Sequence, residues 1–242
     1  MNDYIYGFHP VIEALTTQPD IIEKLFLAED IQFHKKQKIL ALARQRNILV
    51  KFRPRIYLDN IFKKTGQVPA HQGVAGKLRT FHYIGLETLL NQPAKLILLL
   101  DHIQDPQNLG NIIRSAAAFG VNAVILPKDR AAGITSTVIK ASAGAALRLP
   151  IIRVTNLAQT IDELKKAGFW CVGTVVENGM PLWEIPKDLP LVLVIGHEHQ
   201  GLSRLVKEKC DFLATIPMQG KFNSLNAAAA TAICLYELLR PK

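Results

Sequence analysis

The order of apolar and polar positions divides the chain into two parts with different patterns. In the first part, short strand-like and helix-like stretches alternate, and the longest helix-like stretch is amphipathic and basic. Apolar residues recur in it at helical spacing, with lysine and arginine between them. The pattern predicts strands over 4–8, 24–28, 48–52 and 72–79, and helices over 9–15, 34–46 and 57–64.

From residue 95 onward, continuous apolar runs alternate with amphipathic stretches. The run Leu96–Leu100 is wholly apolar and polar residues follow it at once, which is typical of a strand buried on both faces of a parallel sheet. Further strands are predicted over 123–126, 151–154, 170–176, 191–195 and 212–216, and helices over 109–119, 136–146, 157–167 and 225–239. This alternation favours an α/β domain with a mainly parallel sheet.

The change of pattern predicts a smaller N-terminal α/β domain over 1–79, a linker over 80–93 and a larger domain over 94–242. A chain of 242 residues that is 49% hydrophobic and 20% charged can build such cores. No apolar run approaches the roughly 18 residues that cross a bilayer, and the N-terminus lacks a signal-peptide pattern. We therefore expect a cytoplasmic protein with no membrane partner. Three widely separated cysteines follow no metal-binding spacing, so we expect reduced, unreactive thiols.

Positive charge is concentrated in the first part of the chain. In total, 29 Lys and Arg residues against 20 Asp and Glu residues give a formal net charge of +9. Between residues 35 and 64 there is one acid, Asp59, and ten basic residues: Lys35, Lys36, Lys38, Arg44, Arg46, Lys51, Arg53, Arg55, Lys63 and Lys64. Such a surface predicts a polyanionic partner, RNA or DNA. The alternative is a solvated basic surface with no partner.

Three loops that follow predicted strands are rich in glycine and polar residues, and ligands of open α/β sheets bind beyond the carboxyl ends of strands. In the first loop, Asp105 and Pro106 predict a turn, and Asn108 is the predicted cap of a helix beginning at Leu109. Arg114 lies on that helix among apolar and small residues. A buried arginine is costly unless it meets an anion or a carboxylate, so Arg114 is either a site residue, a structural ion pair or a surface side chain.

In the second loop, Gly196 follows the strand and Glu198 is the only acid, flanked by His197 and His199. No further histidine or cysteine cluster completes a coordination set, so we expect no metal.

The third loop leads into the last helix. Ile216, Met218 and Leu225 offer an apolar wall, and Gly220 between them lets the backbone approach a ligand closely. Ser224 and Asn226 offer hydrogen bonds at the start of the helix, where Ser224 is also a normal helix cap. The glycine patterns of Rossmann dinucleotide sites and P-loops and the nucleophile elbow of α/β-hydrolases are missing from the sequence.

The segments DHIQDPQNLGNIIR, VIGHEHQGLS and IPMQGKFNSLN resemble, in order and spacing, the three motifs of the SpoU-type 2′-O-ribose methyltransferases of the SPOUT superfamily. YGFHPVIEAL and HQGVAGKL resemble the substrate-binding domain of one branch, a small α/β RNA-binding fold also found in large-subunit ribosomal proteins. The resemblance implies a trefoil-knotted parallel α/β domain. It also implies a homodimer formed through the knot region and the C-terminal helix.

The same resemblance implies the chemistry. The methyl donor would be S-adenosylmethionine, and the acceptor would be the ribose 2′-OH of a guanosine in the peptidyl-transferase P-loop of 23S rRNA. The implied cofactor contacts are Thr174, Gly196, Ile216, Met218 and Leu225. The implied catalytic residues are Asn108, Arg114, Glu198, Ser224 and Asn226.

Two roles are open for Arg114. A guanidinium keeps its proton at ordinary pH, so Arg114 is a poor general base. It would either stabilise the developing alkoxide and clamp an RNA phosphate, or relay the proton to a phosphate. Asn108 would orient Arg114 or the ribose, and Glu198 would fix a loop or Arg114 by hydrogen bonding.

Other functions remain open from the sequence. One alternative is the same reaction on another substrate, either a tRNA or an rRNA adenosine as in resistance enzymes. A non-catalytic RNA-binding or ribosome-assembly protein is a third hypothesis, and the intact set of motif residues argues against it.

Overall fold

A computed structural model gives the fold and describes residues 4–63, 68–79, 81–198, 200–220 and 224–240. The chain divides into two compact units. The first unit comprises Met1–His82 and Ile134–Arg148, and the second comprises Tyr83–Gly133 and Leu149–Lys242. Most of the stretch predicted as a linker therefore groups with the second unit.

The first unit contains a mixed sheet with helices packed on it. In chain order its elements up to residue 78 are β1 (Tyr4–Tyr6), α1 (Phe8–Thr17), β2 (Ile22–Ala28), α2 (Phe33–Gln45), β3 (Leu49–Arg53), α3 (Arg55–Lys63) and β4 (Val74–Leu78). The strand order is β1-β4-β2-β3, and only the β2–β3 pairing is parallel. Each predicted strand and helix of this part is confirmed in its described residues, with ends displaced by one or two positions; Lys64, the last residue of the predicted third helix, lies outside them.

The second unit is built on a parallel sheet. The remaining elements are α4 (Leu86–Leu90), β5 (Leu96–Leu100), α5 (Pro106–Ala118), β6 (Ala123–Pro127), α6 (Ser136–Ala141), β7 (Ile151–Val154), α7 (Leu157–Lys166), β8 (Trp170–Thr174), β9 (Met180–Pro181), β10 (Leu191–Ile195), α8 (Arg204–Lys209), β11 (Phe212–Thr215) and α9 (Ala227–Leu239). All belong to the second unit except α6, which belongs to the first.

In that sheet the strand order is β7-β6-β5-β10-β8-β11-β9, and all the pairings between these described strands are parallel. The interior strand β5 is fully apolar and buried along its whole length, as expected for a strand covered on both faces. The predicted α/β class with a parallel sheet and an α/β unit at the N-terminus is therefore confirmed. The knot stays a prediction of the resemblance.

The helix predicted over 136–146 is shorter in the structure. Helix α6 ends at Ala141, and Ala143 and Gly144 then take positive φ angles of 51° and 88°. A Cβ atom on Gly144 would lie 2.8 Å from Cβ of Glu13, so only glycine fits beneath that side chain. Glu13 in turn forms an ion pair with Arg148, which ties both ends of this turn to α1.

The cysteines agree with the expectation of unreactive thiols. All three are free, and Cys171 and Cys234 are buried. A hydrogen bond with Cys210 and burial raise the pKa of Cys171, and burial raises the pKa of Cys234 to about 12. In the described part of the chain, no helix is long and apolar enough to cross a membrane.

Candidate active site

A cavity of about 510 Å³ lies in the second unit, beyond the carboxyl ends of strands β8, β10 and β11. Parallel strands bring their carboxyl ends to one edge of a sheet, which is where ligands of such sheets bind. The predicted cofactor residues line this cavity together: Thr174, Gly196, Ile216, Met218 and Leu225. The second and third loops marked in the sequence thus form one concave site, together with the end of β8.

Gly196 closes the loop that follows β10. His197 N donates to Gly201 O at 3.0 Å and Gly201 N donates back to His197 O at 2.8 Å, so the chain turns back on itself. A Cβ atom on Gly196 would lie 2.6 Å from Leu202 N and still closer to the Gly201 carbonyl. Since those atoms are backbone, no side chain fits at position 196 without opening the loop.

Residues from the three motifs meet in one hydrogen-bond network beside the cavity. Glu198 Oε1 accepts from Asn108 Nδ2 at 2.8 Å, from Asn226 Nδ2 at 2.7 Å and from the backbone N–H of Ala227 at 3.1 Å. Asn226 Nδ2 also lies 2.9 Å from Asn108 Oδ1. The carboxylate therefore sits at the N-terminus of α9, where the helix dipole favours a negative charge.

Both predicted helix caps in the motifs are wrong. Helix α5 begins at Pro106, and its cap is Asp105, which accepts from Gln107 N and Asn108 N. Asp followed by Pro is a favourable helix start, so Asn108 falls inside the first turn and its amide is free for Glu198. At α9 the cap is Asn226.

Asn226 Oδ1 accepts from Ala228 N at 2.9 Å and from Ala229 N at 3.3 Å, while its Nδ2 reaches Glu198. One amide thus caps the helix and joins the network. Ser224 is exposed and lines the cavity instead.

Arg114 is not brought to this network. It is exposed on α5 and makes no hydrogen bond or ion pair with any residue that the structure describes. At 3.6 residues per turn it lies about 120° around the helix from Asn108. Because Arg114 is exposed, its guanidinium carries no free-energy cost of burial, and its charge is available to another molecule.

Several polar cavity residues were missed by the sequence analysis. Glu177 and Asn178 line the cavity just after β8, and Lys207 lines it from α8. Glu177 and Asn178 follow the predicted strand 170–176 directly, so the carboxyl-end rule applied to that strand would have found them. Among residues with described positions, no group of three or more His, Cys, Asp and Glu side chains could hold a metal ion; His199 lies outside the described residues.

Comparison with known proteins gives consistent matches over both units. The family model described as "SpoU rRNA Methylase family" matches residues 95–236. The model described as "RNA 2'-O ribose methyltransferase substrate binding" matches residues 4–84. A Bacillus subtilis (strain 168) protein, YacO, whose name places it in the TrmH family of tRNA/rRNA methyltransferases, is 41% identical over 246 residues, covering 100% of this chain and 96% of its own length.

Two solved structures illustrate the structural similarity. An AdoMet-bound rRNA methyltransferase from Sinorhizobium meliloti has a TM-score of 0.83 at 28% identity, covering 98% of this chain and 86% of that one. The SpoU methyltransferase AviRb from Streptomyces viridochromogenes, in complex with AdoMet, has a TM-score of 0.80 at 25% identity, covering 98% and 89%.

Proposed function

The chain belongs to the SpoU rRNA methylase family and is an RNA methyltransferase, and on this premise we propose that it methylates the ribose 2′-OH of a guanosine in 23S rRNA with S-adenosylmethionine as donor. One observation carries the proposal. Asn108, Glu198 and Asn226, one from each motif, form a single network beside the cavity that all five predicted cofactor residues line.

The cavity suits this donor in size and chemistry. Its volume of about 510 Å³ falls within the roughly 300–1,000 Å³ of pockets that enclose small ligands. Ile216, Met218 and Leu225 offer apolar surface for an adenine, while Glu177 and Lys207 offer charges for an amino-acid moiety. When bound, S-adenosylmethionine supplies an electrophilic methyl group on a sulfonium.

Replacing Gly196 with alanine is expected to abolish donor binding, because the new methyl group meets the backbone of Gly201 and Leu202 and opens the loop. Isothermal titration calorimetry should show at least a 100-fold loss of affinity for S-adenosylmethionine. Gly85→Ala is the control, since Gly85 has φ −78° and its nearest atom, on Thr88, is 3.9 Å away. Unchanged affinity in Gly196→Ala would contradict the position of the donor.

The residues of the hydrogen-bond network act by positioning the groups that react. The 2′-hydroxyl is weakly acidic, so it must be held in line with the methyl group while it loses its proton. Glu198 Oε1 already accepts three hydrogen bonds, which makes it an anchor for Asn108 and Asn226. Ser224 and Arg114 are the exposed polar groups left to contact the RNA.

The first unit supports RNA as the substrate. Lys38, Arg44 and Arg46 are exposed on and just after α2. The single acid among these basic residues, Asp59, lies 2.8 Å from Nε2 of the buried His71, and one carboxylate does not cancel the ten basic side chains between residues 35 and 64. An exposed surface of this kind attracts phosphates.

Mapping 2′-O-methylation in cells tests the choice of substrate. We expect one guanosine of 23S rRNA to lose its methyl group when the gene is deleted. Expression of the wild-type protein or of Gly85→Ala should restore the modification, and Arg114→Ala should not. Loss at a tRNA position, or at an rRNA adenosine, would favour the alternative substrates and reject the guanosine.

We also propose that the enzyme is a homodimer that pairs through the region of α9. Ile233 and Tyr236 are apolar or aromatic residues of that helix with 42% and 60% of their surface exposed. Tyr236→Asp is expected to convert the dimer to a monomer in sedimentation experiments. Leu49→Asp, at a residue 56% exposed in the first unit, should leave the dimer intact. A wild-type monomer at micromolar concentration would contradict the proposal.

A further inference from the structure

A second cavity, of about 210 Å³, opens at the carboxyl ends of strands β5, β6 and β7. It shares no lining residue with the first cavity. Its polar lining residues are His102, Asp129, Thr155, Asn156 and Ser203. Nothing in the methyl-transfer network described above uses these side chains.

His102 is held rigidly at the edge of this cavity. Its φ of 62° is uncommon for a residue other than glycine, although histidine is among the side chains that adopt it. Its Nδ1 is bonded to Asp101 Oδ1, and Asp101, only 1% exposed, also accepts from Ser203 N at 2.6 Å through Oδ2. The buried carboxylate thus fixes the imidazole ring by Nδ1, which leaves Nε2 for a ligand.

The lining favours a neutral, flat heterocycle over a phosphate. Among the residues that the structure describes, no lysine or arginine lines the cavity, and Asp129 adds a negative charge that repels phosphate. Pro127, Leu205 and Val206 supply apolar walls. The volume is below the roughly 300–1,000 Å³ of pockets for drug-sized ligands, so the cavity is suited to a single base.

The hydrogen-bond donors and acceptors at the edge of this cavity favour one nucleobase over the others. The two oxygens of Asp129 are acceptors only, so they require a ligand edge with N–H donors. Asn156 Oδ1 accepts from Gln159 N at 3.1 Å, which leaves the Asn156 NH₂ group to donate to a carbonyl. Guanine offers both partners, since N1–H and N2–H₂ donate side by side and O6 accepts. Adenine lacks the paired donors.

The two cavities lie side by side along the same edge of the second unit's sheet. The loop after β10 contributes Gly201 and Leu202 to the first cavity and Ser203 to the second. Strands β6 and β8 are three strand spacings apart, or about 14 Å. An RNA strand that reaches the first cavity with its ribose can therefore reach the second with a base.

We propose that the second cavity binds a guanine base of the substrate RNA, with Asp129 accepting from its N1–H and N2–H₂ groups and Asn156 donating to its O6. This inference rests on the proposed function, because it assigns a guanine of that same RNA substrate to a separate cavity. His102 forms part of the wall that holds the base.

The test is a titration of the ¹⁵N-labelled full chain with guanosine, inosine and adenosine 5′-monophosphates, which share one phosphate group. We expect guanosine monophosphate to shift the amide signals of Thr155, Asn156 and Ser203. Inosine monophosphate, which lacks the N2 amino group, should bind about tenfold more weakly, because one hydrogen bond to a charged acceptor is lost. Asp129→Asn should remove this difference, and Asp20→Asn, at an exposed acid of the first unit, should retain it.

Two results would overturn the proposal: adenosine monophosphate shifting the same amides with equal affinity, or guanosine monophosphate shifting none of them. Methyl transfer to rRNA is measured on the same preparation. If methyl transfer is normal but guanosine monophosphate shifts none of these amide signals, guanine binding in the second cavity is rejected and the proposed function is retained. If guanosine monophosphate shifts these amide signals but no RNA is methylated, the proposed function is rejected and guanine binding in the second cavity is retained.

Discussion

Replacing Glu198 with alanine is expected to lower the free energy of unfolding by about 2–4 kcal/mol and kcat by about 100-fold. The substitution removes the acceptor shared by Asn108, Asn226 and the backbone N–H of Ala227. The partly buried donors of Asn108 and Ala227 each cost about 1–3 kcal/mol when left without a partner, whereas the exposed Asn226 amide can bond to water. The N-terminus of α9 also loses a favourable negative charge. Turnover falls because small displacements of positioned groups cost about 100-fold.

Two variants separate the network from a general effect of losing a carboxylate. Glu198→Gln keeps an oxygen at the shared acceptor position, so it should recover most of the stability. Glu208→Ala removes an exposed carboxylate paired with Arg204 and should change stability by less than about 1 kcal/mol. Urea denaturation and methyl transfer at saturating donor measure the two effects. A stable, active Glu198→Ala enzyme would show that the network is dispensable.

The sheet of the second unit was predictable because its strands are buried on both faces. Leu96–Leu100 and Leu191–Ile195 are uninterrupted apolar runs, and the structure gives them the predicted ends. Helices α4 and α8, with 5 and 6 residues, were missed because so short a segment contains too little of the helical period to be recognised.

The position of the segment 134–148 could not be predicted from local pattern. Its residues are mostly small, so they carry weak periodicity, and the contacts that define its turn are with Glu13, more than a hundred positions away. The capping errors had a different origin. Asp105 and Asn108 are both good caps, and the Pro106 that follows Asp105 is the feature that decides between them.

The candidate site was predictable as a location, since loops after parallel strands converge on one edge of the sheet. The resemblance supplied the particular residues, and the structure adds how they connect. Asn226 serves as cap and as network member at once, which no motif records. Glu177 and Lys207 belong to no motif; the sequence held a signal only for Glu177, which follows a predicted strand, and Lys207 was found only as a cavity wall. Their contribution to donor binding stays a prediction.

Arg114→Ala is expected to lower kcat by about 100- to 1,000-fold while leaving stability and donor affinity unchanged. The size follows from removing one donor that stabilises a developing oxyanion. Stability should change by less than about 0.5 kcal/mol, because the exposed side chain has no partner in the described part of the chain. Donor affinity should hold because Arg114 is not among the cavity residues.

Two further substitutions, one at a neighbouring position and one at Arg114 itself, serve as controls for this prediction. Asn111→Ala, at the exposed position three residues before Arg114 on the same helix, should keep normal turnover. Arg114→Lys retains the charge without the planar fork, so partial activity would indicate charge stabilisation, and full loss would indicate a bidentate phosphate clamp. Single-turnover rates with saturating RNA and donor separate these outcomes from weakened binding. A near-normal rate in Arg114→Ala would exclude both alkoxide stabilisation and proton relay, and would leave Ser224 as the exposed polar residue to test next.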